Sequence, residues 1–108
     1  MKHFLLFYDV GPNFVAQRAA YRDAHLQQAW NSHERGELIL GGALVDPADE
    51  AVLLFAANSP EVVKKFAETD PYVANGLVKK WWVREWNTVV GDNAAFPQRA
   101  DSSNRKSK

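Results

Sequence analysis

Arg18, Arg22 and His25 fall at i, i+4 and i+7 in a stretch rich in good helix formers, with Ala29 following at i+11. That spacing sets all four on one helix face. Histidine is the side chain whose ordinary pKa lets it take or give a proton near neutrality. Arginine offers a fixed fork of donors to a carboxylate, phenolate or phosphate. The chemistry these types suggest is an anion-binding pocket with a general base. The bland alternative is a half-exposed helix whose arginines pair with Asp23 and Glu34. A histidine base commonly needs a carboxylate to fix its tautomer and stabilise its cation. The candidates are Asp9, Asp70 and the acids of the helix itself. His25 lies about twelve residues into the helix, or ~18 Å from its mouth, whereas Asp9 sits at that mouth. Asp70 ends a second helix running the same way, so it is the better partner, and Asp9 is left to serve the mouth of the same cavity. Taken alone, Asp70 before Pro71 reads as a turn residue, because the pre-proline position disfavours helix.

Aromatic residues are the next candidates. Tyr8, Tyr72, Trp81, Trp82 and Trp86 could wall a pocket for a flat substrate. Core packing and a subunit interface account for at least two of the tryptophans. His3 and His33 read as surface residues. Three histidines without cysteine and without H-x-x-H spacing make no metal site.

Composition narrows the field. A chain of 108 residues is one domain. Thirteen basic and thirteen acidic residues cancel, which argues against a basic nucleic-acid clamp. The absence of cysteine excludes disulfides, thiolate metal sites and cysteine nucleophiles. No apolar run approaches the ~18 residues of a membrane span. The opening Met1-Lys-His-Phe-Leu-Leu-Phe-Tyr8 meets Asp9 at once and reads as a strand, not a signal peptide, so a soluble cytoplasmic protein is expected. No flavin or haem fingerprint is visible, and the expected cofactor requirement is none, although haem needs only one histidine. Four Trp, three Tyr and six Phe are a heavy load for so small a core, and suggest an oligomer interface or a pocket lining.

These side chains need elements to position them. Residues 2–9 read as a buried strand. A single long helix is expected from Phe14 to Arg35, with Asn13 as its N-cap, Gly36 as its stop and a core-facing stripe of Val15, Ala19, Leu26 and Trp30. Residues 37–45 and 50–57 read as a hairpin around the turn 46–49, with Gly41-Gly42 marking a bulge or a close approach. A helix over about 60–69, a short turn at 72–76 and a last strand over 77–90 follow. In that strand Trp82, Arg84 and Trp86 share one face. The expected division is a domain over 1–91 and a flexible tail over 92–108, the last eight residues frayed. The order is β-α-β-β-α-β, the ferredoxin-like α+β pattern with both helices on one face of a four-stranded antiparallel sheet. The bare face predicts a homodimer.

Three segments together resemble the YciI-like (YCII-related) proteins. They are Arg18-Ala-Ala-Tyr-Arg22-Asp-Ala-His25-Leu26, Gly36-Glu-Leu-Ile-Leu-Gly-Gly-Ala-Leu44, and Asp70-Pro-Tyr-Val-Ala-Asn-Gly-Leu-Val78. Asp9 matches an acidic position at the end of that family's first strand. The likeness covers roughly residues 2–90; Ala74-Asn75-Gly76 departs slightly from the usual spacing, and the tail lies outside the pattern. It implies a dimeric α/β barrel and an active site on a His–Asp pair, here His25 and Asp70. It also implies lyase or dehalogenation chemistry on hydroxylated aromatics, as associated with some members. The resulting expectation is a cofactor-free enzyme in which His25 moves a proton, Asp70 orients it, and Arg22 and Arg18 hold an anionic or phenolic substrate beside Asp9 and Tyr72. The alternative is a non-catalytic dimeric module that binds a small ligand in the same cavity.

Overall fold

The computed structural model describes residues 1–100. Strand β1 (Lys2–Val10) lies inside a four-stranded sheet of order β2-β3-β1-β4, formed with β2 (Leu38–Ala43), β3 (Glu50–Ala57) and β4 (Val78–Trp86). Every pairing is antiparallel. Alternation along β1 buries Phe4, Leu6, Tyr8 and Val10 on one face, and Ala51, Leu53, Phe55 and Ala57 of β3 join them there. Helix α3 (Glu61–Thr69) closes over this face with Val63, Phe66 and Ala67, and Phe66 meets Phe55 edge to face at 5.2 Å. The fold is the expected ferredoxin-like α+β arrangement. The other face carries Leu5, Phe7, Val52, Leu54 and Trp82, all only partly covered, with Phe7 stacked on Trp82 at 5.3 Å. Trp82, Arg84 and Trp86 do share that face, opposite Phe7, Leu5 and His3.

The long first helix is not continuous. It begins as α1 (Phe14–Gln17), tightens to a 3₁₀ turn at Arg18–Ala20, pauses at Tyr21 and resumes as α2 (Arg22–Glu34). Asn13 precedes it without a side-chain cap bond. The expected stripe of Val15, Ala19, Leu26 and Trp30 is exposed and does not face the core. The physical reason is that α2 has little apolar surface to lay on the sheet. Only Ser32 is buried, with His25, Gln28 and Ala29 partly so, and the helix stands over a hollow.

The two flanks of this hollow end in the same way. After α2, Gly36 adopts φ +82°, its N–H bonds the His33 carbonyl, and the Glu37 N–H bonds the Ser32 carbonyl. After the one-turn helix α4 (Pro71–Ala74), Gly76 adopts φ +80°, bonds the Val73 carbonyl, and the Leu77 N–H bonds the Tyr72 carbonyl. Both are Schellman caps with glycine at the left-handed position. The irregularity expected near Gly41-Gly42 falls just before them, between Leu38 and Leu40.

Part of the expected tail is built. Thr88 Oγ1 lies 2.7 Å from His3 Nδ1 and accepts the Ala95 N–H, while the Phe96 and Gln98 N–H groups bond the carbonyls of Thr88 and Val89. His3, expected at the surface, is buried under this loop. The fraying expected over 101–108 lies outside the described residues.

Nothing lies within 4 Å of a Cβ built on Gly36 or Gly76, so alanine there meets only the backbone cost of the left-handed conformation. Gly36→Ala and Gly76→Ala should each lose about 1–2 kcal/mol in urea unfolding.

Candidate active site

Asp70 sits where α3 ends and α4 begins. The following Pro71 holds it extended, at φ −68° and ψ 125°, which is the conformation an N-cap needs. Its side chain then turns inward and is wholly buried. The carboxylate accepts from three groups. The Tyr72 backbone N–H donates to Oδ1 at 2.9 Å, the Tyr8 hydroxyl donates to Oδ2 at 2.7 Å, and His25 Nδ1 donates across both oxygens at 2.9 and 3.0 Å. A carboxylate has acceptor sites for all three donors, so no buried polar hydrogen is left unmatched.

That network decides the histidine tautomer. Nδ1 carries the proton because its partner is an acceptor, and Nε2 is the nitrogen left for a ligand. The imidazole is also fixed in plane. The Tyr72 ring stacks on it at 4.0 Å with 16° between planes, and Phe14 supports Tyr72 edge-on at 5.3 Å. His25 lines a cavity of about 420 Å³ beneath α2. Its floor is Leu53 and Ala51 of β3, its far wall the edge strand β2, and its roof Leu26, Ala29 and Trp30.

Arg18 and Arg22 line the same end as His25. Despite the 3₁₀ turn between them, the face expected from their spacing survives. Among the described residues neither arginine has an acidic partner, so the pairing with Asp23 or Glu34 does not form. Arg18 instead lies over the Phe14 ring at 5.7 Å. Both arginines act electrically on the Tyr72 phenol. Burial raises its pKa most, Arg22 and Arg18 pull it back down, and Asp70 pushes it up. Two guanidinium groups without acidic partners thus line a partly apolar cavity.

Of the residues singled out in the sequence, His25, Asp70, Arg18, Arg22 and Tyr72 come together. Asp9 does not. Strand alternation turns it to the opposite sheet face from Tyr8, and there it lies 4.0 Å from Lys79 Nζ, away from the cavity. Trp81 is partly buried against the core and Trp82 lies on the bare face; neither lines the cavity. Two residues carry more than the sequence suggested. Tyr8 supplies the third bond to Asp70; the available signal was a tyrosine on the buried face of β1, whose hydroxyl must find a partner. His33 is exposed, as read, and also lines the cavity. Among the described residues no cluster of three side chains could hold a metal ion.

Residues 1–87 match the YCII-related domain. The chain belongs to the YCII-related domain family. No functionally curated protein matches it. Among solved structures it is similar to 5-chloro-2-hydroxyhydroquinone dehydrochlorinase from Burkholderia phenoliruptrix AC1100, in complex with 2,5-dihydroxybenzoquinone. That similarity has 22% identity and a TM-score of 0.68, over 80% of this chain and 94% of that one. It is also similar to a NIPSNAP family protein from Agrobacterium tumefaciens str. C58, at 14% identity and a TM-score of 0.55, over 86% of this chain and 95% of that one. Both likenesses are of fold. The loop over 88–98 lies beyond the matched domain.

The Tyr8 hydroxyl is held protonated by burial first, then by the Asp70 charge and its hydrogen bond, which raise its pKa well above the usual phenol range. Unfolded tyrosine ionises near pH 10. The stability this difference contributes is therefore present below about pH 10 and lost as pH rises through the folded value, at about 1.4 kcal/mol per pH unit. Tyr8→Phe should cost about 1.5–3 kcal/mol in neutral denaturant unfolding and should flatten the alkaline decline relative to the unsubstituted protein.

Proposed function

We propose that this protein is a small enzyme that uses His25 as general acid and base on an anionic or hydroxyaromatic substrate without a resident cofactor. The observation that carries this reading is the imidazole whose Nδ1 is tied to buried Asp70 while Nε2 is left to a cavity with two unpaired arginines. In this arrangement Nε2 takes a proton from the substrate as the leaving group departs with its bonding electrons. The imidazolium so formed is held against the Asp70 carboxylate. Arg18 and Arg22 bind the oxygen on which negative charge sits. The Tyr72 ring keeps the imidazole from turning out of line, which is what such a proton transfer requires.

Elimination of a halide from a hydroxylated ring fits this equipment, because it needs an oriented base and anion donors. The fold shared with the Burkholderia dehydrochlorinase supports that choice among eliminations. The bare sheet face of Leu5, Phe7, Leu54 and Trp82 supports a homodimer in which two such faces cover each other.

The test is chloride release from chlorinated hydroquinones, beginning with 5-chloro-2-hydroxyhydroquinone. His25→Ala should lower kcat/KM by about 10²–10⁴-fold. Asp70→Asn should lower kcat by at least a similar factor, since one amide oxygen cannot accept from three donors and its NH₂ favours the wrong imidazole tautomer. Full turnover by His25→Ala would remove the imidazole from the reaction and leave a ligand-binding module.

A further inference from the structure

The cavity has a second imidazole at the end away from Asp70. His33 lies eight residues beyond His25 on α2 and lines the same space. Its Nδ1 is 2.8 Å from the Leu38 carbonyl. A carbonyl oxygen only accepts, so Nδ1 carries a proton there and Nε2 is the nitrogen free to meet a ligand. The ring is held from the side by Trp30, edge to face at 5.3 Å. The turn that brings Leu38 within reach is the Gly36 cap, which reverses the chain from α2 into β2. His33 is thus oriented as His25 is, by one bond to Nδ1 and one aromatic contact, but its partner is a neutral carbonyl in place of a carboxylate. It is equipped to recognise a polar group, and lacks the buried charge that would support proton transfer.

The geometry points to His33 as a specificity-determining residue, whose Nε2 accepts a hydrogen bond from a hydroxyl at the end of the substrate opposite the anionic group held by Arg18 and Arg22 beside His25. Eight residues of helix separate the two imidazoles by about 12 Å along the axis. The two side chains also diverge by about 80° around that axis, so contacts of about 2.8 Å at each end leave at least about 6 Å between the anionic group beside His25 and a hydroxyl that meets His33. A carboxylate and a para-hydroxyl on one six-membered ring reach that span, and a meta-hydroxyl falls short of it. Leu26, Ala29 and Leu53 line the space between the two ends and offer a ring apolar contact. The class selected is a single ring with an anionic group at one end and a para-hydroxyl at the other. This deepens the functional reading above, and rests on its anion site.

The experiment measures Kd by calorimetry for benzoate, 3-hydroxybenzoate and 4-hydroxybenzoate. The unsubstituted protein should bind the para-hydroxy acid about 3- to 10-fold more tightly than the other two, the gain expected of one added hydrogen bond. His33→Asn keeps an N–H where Nδ1 stands, so the bond to Leu38 persists, but it removes Nε2. It should bring the three constants within about twofold of one another while leaving benzoate binding and the unfolding midpoint unchanged. His33→Gln places a polar atom near the Nε2 position and should restore the para preference. Persistence of that preference in His33→Asn, or its absence from the unsubstituted protein, overturns the inference. Benzoate binding that is lost in Arg22→Ala marks the anion site independently of His33. If benzoate binds through Arg22 and the para-hydroxyl adds nothing, only the role of His33 falls. If no benzoate binds at millimolar concentration, the anion site and the inference fall together.

Discussion

A carboxylate taken wholly out of water must be surrounded by donors, and the rest of the structure follows from how Asp70 meets that requirement. Its donors come from three separate elements: a strand through Tyr8, a one-turn helix through the Tyr72 amide, and α2 through His25. Each donor is itself immobilised. Tyr8 is packed in the core, the amide belongs to a capped turn, and the imidazole is pressed on the Tyr72 ring. The carboxylate therefore acts as a hub that joins the sheet to α2 and to the junction of α3 with α4. Removing any spoke leaves buried polarity unmatched, and that is costlier than the net worth of the bond itself.

The cavity exists because α2 is a poor core helix. A stripe of leucine-sized residues facing the sheet would have collapsed the space under it. Instead α2 contributes Arg22, His25, His33 and a few apolar residues that look into the hollow. It is anchored mainly at its ends and flank. The His25 bond to Asp70 holds one end, the Gly36 cap holds the other, and Gln28 bonds the Phe66 carbonyl and Thr69 along its side. Packing energy is forgone along this helix, and an open cavity is the result.

Much of this was legible in the residues. Strand alternation, turn chemistry and the βαββαβ order are local signals, and they led to the observed sheet. The meeting of His25 with Asp70 followed from helix lengths and from both helices lying on one face. The helix stripe was misplaced because a sequence shows what is apolar but not what is hollow. Val15, Leu26 and Trp30 look like core at helical spacing, yet the surface they face is a cavity or solvent. Asp9 looked close to the site along the chain, but one step along a strand reverses the side. His33 had no distinguishing neighbour in sequence; its partner, the Leu38 carbonyl, is a backbone atom that any residue would provide.

Tyr72 divides its work between two parts of one residue. Its amide holds the carboxylate, while its ring covers the imidazole. Backbone and side chain can therefore be altered separately over evolutionary time. Replacing the ring by another flat one would change the polarity above His25 and leave the anchoring of Asp70 in place. The surroundings of the imidazole can thus change at this one residue without dismantling the pair beneath it.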